Sequence, residues 1–359
     1  MAQHRIKLFF IALLWLPTQL FAGGEIELIR TIEKAYAVSP TDMLTLDNRY
    51  GKVHIDNWDR REISIKITIT SRAKDEYTAE RRLKAIRITE KKDGTSISLK
   101  TETEEPGTLV RSATKGIKVD YMVKIPRLNP ITLKNRFGDV YIADREGNLN
   151  LHMSYGKLTS GALNGQSNEV RSEFGDASIA NFGGGSIQFS FGELMIGQAD
   201  NLKLNTNAAN VTVSKVNRLD LNSNLGKLVV KQAGTIAGEY SATKVSIEEL
   251  KHYLDLEVKY GTVFQIEEVL PEFDRIKLIG NYCSFDIEFH PAAKFNLSAE
   301  LQYGKMDYEA ERVSMTILED QSLPGLTTYR ASFGGQRTTS TNGSQVIIHN
   351  KYGNVRIRQ

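Results

Sequence analysis

The feature that most constrains this chain is an aromatic residue followed by glycine. It recurs inside closely similar phrases, LDNRYGKVHI from Leu46, LKNRFGDVYI from Leu133 and HNKYGNVRI from His349. The full set of pairs is Tyr50-Gly51, Phe137-Gly138, Tyr155-Gly156, Phe174-Gly175, Phe191-Gly192, Leu225-Gly226, Tyr260-Gly261, Tyr303-Gly304 and Tyr352-Gly353, with degenerate copies at Ala208-Ala209, Ala242-Thr243 and Tyr282-Cys283. From Gly138 to Gly304 the second members are 18, 19, 17, 17, 17, 17, 18, 22 and 21 residues apart. A period this short and steady is the mark of a stacked repeat.

Alternation around each pair gives the repeat its shape. Upstream, apolar residues keep the parity of the aromatic, as in Leu149, Leu151, Met153 and Tyr155. Downstream the parity moves by one, as in Gly175, Ala177 and Ile179. Side chains change face at every strand residue, so two successive inward residues require a corner. Glycine makes that corner at low cost, because it reaches positive φ and leaves room for a neighbouring backbone.

Each copy therefore reads as strand, corner, strand and turn, too short for a βαβ unit. The expected fold is all-β, a β-solenoid resembling a parallel β-helix with 17 to 22 residues per coil. With coils about 4.8 Å apart, the ten copies from Gly138 to Gly304 would extend on the order of 45 Å. An antiparallel sandwich or meander of the same period is the alternative. Residues 23–130 are expected to form an N-terminal β cap, with a short helix near 75–85 that Asp75 caps and with strands near Thr95–Thr101 and Gly116–Ile125. Residues 131–308 carry the repeats, and 309–359 hold a flexible Gly/Ser/Thr-rich excursion, FGGQRTTSTNGSQ, before a closing coil over Gln345–Arg358.

The first 22 residues read as a signal peptide. His4, Arg5 and Lys7 precede an apolar run that Pro17 interrupts, with a small residue, Ala22, at the cut. That run is far short of the roughly 20 residues needed to span a bilayer. Removing it leaves 44 basic against 43 acidic residues, a net +1, a balance that disfavours a nucleic-acid partner. The single cysteine, Cys283, excludes an internal disulfide. It occupies the glycine position of its copy and reads as a small buried thiol.

Chemistry is sparse. None of the six histidines lies in an HExxH, HxH or Cys-His arrangement, and no GxSxG or phosphate-cradling GxxxxGKS loop occurs. No catalytic, cofactor-binding or metal-ligating residue is assigned. The strongest enzymatic case is Asp176 with Glu193, directly after Gly175 and Gly192 on successive copies, with Glu173 nearby. Two carboxylates about 5 Å apart suit a retaining glycosidase. The same column, however, runs Asp139, Lys157, Asp176, Glu193, Asn210, Lys227 and Lys244, which reads as a charge-compensated surface ladder. Trp58, the one tryptophan outside the signal, sits in the polar turn DNWDRRE and reads as part of the cap or as a stacking surface.

The phrase LDNRYGKVHIDNWDRREISIKITIT, the helix after it and the run of aromatic-glycine copies resemble the bacterial putative-adhesin family. This is a domain of unknown function found in Bacteroidetes envelope proteins and related to the head GIN adhesin domains. The resemblance spans roughly residues 30 to 359 and implies an exported, β-helical envelope protein without an assigned catalytic residue. The expected function is non-enzymatic: an adhesin-like binding or scaffold protein of the periplasm or cell surface of a Gram-negative bacterium, with an envelope protein or glycan as partner. A polysaccharide-active enzyme and a periplasmic signalling component are the alternatives.

Overall fold

The computed structural model describes residues 25–103, 116–261, 263–309, 313–319, 324–334 and 343–359. The expected signal peptide, residues 1–22, and residues 335–342 of the expected excursion lie outside them. The described residues are all-β apart from one helix, Glu76–Lys84. Their 22 strands join in one continuous sheet that does not close into a barrel. Asp75 caps the helix as its spacing predicts, its carboxylate accepting from the Thr78 amide at 2.8 Å.

Successive copies of the repeat lie side by side as parallel strands in register. On one face Leu46 pairs with Leu133, Leu133 with Leu151, Leu151 with Val170 and Val170 with Ile187. On the other, Val53 pairs with Val140, Val140 with Leu158 and Leu158 with Ala177. All nine of these residues are buried. Register is strongly specified here, since a one-residue slip would turn each apolar column toward solvent.

Ala177–Lys259 is paired strand throughout its 83 residues. Drawn out it would exceed about 270 Å, so it must fold back repeatedly. It does so at Phe191, Ala208, Leu225 and Ala242, all at positive φ, and side chains 17 residues apart meet across it, as in Thr206 with Ser223 and Asn207 with Asn224.

The corner differs from its expected form in which residue bends. The aromatic, not the glycine, takes the left-handed conformation: φ is 57° at Phe137, 58° at Tyr155 and 57° at Phe174. The ring consequently leaves the inward face that its parity implied and points to solvent. Glycine is required for space. A Cβ on Gly175 would stand 2.0 Å from the carbonyl oxygen of Gly156, and one on Gly192 would stand 2.1 Å from that of Gly175. The copies therefore stack backbone on backbone at this corner.

Both ends of the parallel stack are covered by antiparallel strands. At the first end Ser96–Thr103 lies along Met43–Arg49 and pairs with the charged strand Ile86–Asp93, while Ile117–Ile125 lies along Val53–Asn57 and continues through Glu62–Ala73 to Ile26–Ala37. Arg145, 1% exposed, fastens this end: its guanidinium donates to Asn57 Oδ1 and to the carbonyls of Pro126 and Asn129 at 2.6–2.8 Å. Burial lowers its pKa to about 10, so it stays charged at neutral pH, satisfied by carbonyl and amide oxygens.

At the far end, Val313–Glu319 and Leu326–Phe333, within the expected excursion, form an antiparallel pair on Phe295–Gln302. The last copy is not outermost. Ser344–Lys351 inserts between Arg275–Asn281 and Phe295–Gln302, parallel to both, and Val355–Arg358 inserts between Ser284–Phe289 and Met306–Glu309. The C-terminal strands are thereby paired on both sides, which protects them from fraying.

The division of labour at the corner is testable by denaturation. Gly175→Ala should cost about 3 kcal/mol or more, because the clash is with backbone that cannot rotate away. Phe174→Gly relieves about 1–2 kcal/mol of left-handed strain and loses two ring contacts worth about 0.5–1.5 kcal/mol each, so its midpoint should shift little. The reverse order of severity would show that φ, not space, selects the glycine.

Candidate functional site

Each corner places one side chain on the outside of the stack, so the positive-φ residues form a single exposed file. In spatial order it runs Tyr50, Phe137, Tyr155, Phe174, Phe191, Ala208, Leu225, Ala242, Tyr260, Tyr282, Tyr352 and Tyr303. Five rings stack in the first run, with centroids 5.8, 5.1, 5.0 and 4.7 Å apart and planes within 13°. Four tyrosines stack in the second, at 5.8, 4.6 and 5.1 Å. Phe137, Tyr155, Phe174 and Phe191 remain 43 to 51% exposed. Within each run ring faces meet ring faces and edges meet solvent. Beside the ring-less interval the runs end at Phe191 and Tyr260, each stacked on one ring only among the described residues.

Beneath the rings lies a polar column that the sequence motif contains but that apolar patterning passes over. Asn48, Asn135 and Asn350, two residues before their aromatics, are buried. Asn135 donates to the carbonyls of Gly138 at 2.8 Å and Gly51 at 3.2 Å, and Asn350 to those of Gly353 at 3.0 Å and Cys283 at 2.8 Å. The amide thus satisfies carbonyls turned inward by the corner, which would otherwise be buried at a cost of about 1–3 kcal/mol each. Under the ring-less interval Thr206, Ser223 and Thr243 replace it, joined hydroxyl to hydroxyl at 2.8 and 3.2 Å.

The charged column after the glycines has a structural task along the first run. Asp139 accepts from the Lys157 amide at 3.1 Å, and Asp176 accepts from the Glu193 amide at 3.1 Å. Asp176 and Glu193 do sit on adjacent copies, but on an open, exposed corner, and Asp176 spends one carboxylate oxygen on backbone. Glu173 is held by Arg171 at 2.7 Å. Trp58 is fixed by donating its indole N–H to the Glu62 carbonyl, with the Arg60 guanidinium 5.2 Å above its ring, which places it in the turn leading to the first-end strands. Among the described residues no group of three or more His, Cys, Asp or Glu is arranged to hold a metal ion, and no helix is long and apolar enough to cross a membrane.

No family model matches the chain, and no curated protein matches its sequence. Solved structures similar to it include a "putative cell adhesion protein" of Clostridium sporogenes, 11% identical, covering 92% of this chain and 100% of that one at a TM-score of 0.18. A "putative adhesin" of Bacteroides fragilis is 9% identical, covering 91% and 97% at a TM-score of 0.29. A "putative adhesin" of Parabacteroides distasonis is 8% identical, covering 91% and 97% at a TM-score of 0.30.

Cys283 is 2% exposed, at the glycine position of its copy. Burial pushes its thiol from the ordinary 9.0 up to about 12. The folded protein should therefore resist alkylation at pH 8 and react stoichiometrically once unfolded, as mass spectrometry would read. Because the folded thiol holds its proton where the unfolded one releases it, this residue's contribution to stability should fall as pH rises above about 9. Rapid labelling of the native chain would contradict the buried placement.

Proposed function

We propose that this chain is a non-catalytic, exported envelope protein. In this reading its repeats, residues 131–308, form a β-solenoid that presents an adhesin-like binding face. Residues 23–130 serve as the N-terminal cap, and 309–359 complete the opposite end. One observation carries the reading: the exposed aromatic file. A ring at positive φ costs about 1–2 kcal/mol, and core packing does not require these rings, since the buried columns lie on the inward faces. Exposed apolar surface arranged contiguously marks an interaction site.

The enzymatic alternative has less support. A glycosidase site encloses its sugar between two free carboxylates, whereas Asp176 is engaged by the neighbouring backbone and neither carboxylate is walled in.

The experiment is expression of the full chain with a C-terminal tag in a Gram-negative host. Intact-mass analysis should show a mature chain that begins near Gly23, and fractionation should recover it with the envelope. Digestion by external protease on intact cells would indicate surface display, and protection until the outer membrane is opened would indicate the periplasm. Recovery of the uncleaved chain from the cytoplasm would overturn the reading, as would turnover of a polysaccharide panel abolished by Asp176→Asn and Glu193→Gln.

A further inference from the structure

We propose that the interval between Phe191 and Tyr260 is a binding site for an acidic oligosaccharide. The inference rests on the envelope-binding reading and specifies where binding occurs and what is bound.

Three features of the ladder gather over this interval and meet at Leu225. First, the rings stop. Ala208, Leu225 and Ala242 keep φ of 50°, 60° and 48°, so the backbone still forms the corner that elsewhere carries a ring. Phe191 and Leu225 stand two rungs apart, about 10 Å, with only a methyl group between them, and Ala242 repeats the arrangement between Leu225 and Tyr260. Since Phe174 and Phe191 stack at 4.7 Å, a six-membered ring over Ala208 would meet Phe191 at the spacing native to the ladder. The site is thus two ring-sized slots, each with one aromatic wall, divided by the half-exposed Leu225.

Second, one flank becomes a field of amides. Asn205, Asn207, Asn222 and Asn224 point outward on the two strands that lead into Ala208 and Leu225, where the strand leading into Ala242 carries Glu239 and Ser241, and Asn224 donates to Asn207 at 3.3 Å. Each amide offers both donors and an acceptor, so most of their capacity is open to a ligand's hydroxyl groups.

Third, the other flank is basic beside the slots. On the ring-bearing rungs this column mixes Asp139, Asp176 and Glu193 with Lys157, and its aspartates accept from the next copy's backbone. Beside the slots it holds Asn210, Lys227 and Lys244, and a lysine cannot accept at all. Both lysines are exposed and make no ion pair among the described residues, whereas Lys259 on the Tyr260 rung is paired with Glu257 at 2.8 Å.

Together these features describe one ligand class. The electron-rich faces of Phe191 and Tyr260 attract the polarised C–H face of a pyranose, the asparagines match its hydroxyls, and the lysines match carboxylate substituents. A linear sugar chain lying across Leu225 would seat one ring in each slot.

The test is titration calorimetry of the mature full-length protein with oligogalacturonate, and with a neutral cello-oligosaccharide as comparison. Oligogalacturonate should bind, more weakly as salt rises. Ala208→Phe with Ala242→Phe should complete the ladder, keep Tm at or above wild type and weaken binding at least tenfold. Lys227→Gln with Lys244→Gln, which leaves the corners untouched, should weaken it at least tenfold, and Lys157→Gln in the same column should change nothing. Undiminished binding by either double variant would overturn the assignment, as would equal affinity for the neutral sugar. So would a dimer in sedimentation that the filled slots dissolve, since the occupant would then be a second copy. A mature, envelope-located protein that binds no oligogalacturonate would remove this inference alone, whereas failure of export would remove the reading beneath it.

Discussion

The constraint on which the structure depends is a contact between backbones. At Gly138, Gly156, Gly175 and Gly192 the glycine of one copy lies where its missing Cβ would strike the glycine carbonyl of the copy before it. To bring two backbones that close, the residue ahead of the glycine turns into the left-handed region, and its side chain swings outward. The exposed ring file is therefore a geometric product of the tight corner. Once outside, the rings recover through stacking energy of the same order as the backbone strain. Under Tyr50, Phe137 and Tyr352 carbonyls bent inward are met by the buried Asn48, Asn135 and Asn350. Corner, ring file and amide column form one unit, each part answering a cost created by another.

That unit can repeat only if its ends are closed, because every parallel strand left at the end of the stack offers a row of unpaired amides and carbonyls. The two ends use different means. The first is covered by long antiparallel strands and by the charged strand Ile86–Asp93, with the buried Arg145 holding Asn57, Pro126 and Asn129 in place. The second is covered by Leu326–Phe333 and Val313–Glu319, while the chain's own last strands are drawn inside, between earlier copies. A terminus paired on both edges contributes two ladders where an outermost strand would contribute one.

Much of this is legible in the sequence, for definite reasons. Period and parity are properties of faces, so the all-β class, the in-register apolar columns and the existence of a corner at each aromatic-glycine pair follow from alternation alone. Parity does not record φ, however. It cannot tell whether Phe174 or Gly175 bends, and so it assigns the ring to the wrong face. The asparagines of NRYG, NRFG and NKYG stand at inward positions in the three best-preserved phrases; a polar residue repeated at a buried parity is a signal, but hydrophobic pattern reading discards it. The insertion of Ser344–Lys351 between two earlier strands leaves no trace in the period, because a repeat specifies what a copy looks like and not which copies it lies between. The carboxylates Asp176 and Glu193 stand on neighbouring copies as their spacing implies; the engagement of Asp176 with the Glu193 amide depends on an amide direction that only the folded corner defines.

The candidate site shows the same logic turned toward function. In a ladder whose regular rungs satisfy one another, ring faces cover ring faces and acidic side chains cap backbone amides, so little is left over to recognise anything else. Binding capacity accumulates where the pattern is broken without the backbone being broken. Ala208, Leu225 and Ala242 retain the left-handed corner and so retain its strain, but they give up the stacking that offsets it on other rungs. A rung that keeps the cost and lacks the compensation is a natural place for an external ring to supply it. The flanking amides and unpaired lysines then determine what kind of ring that is.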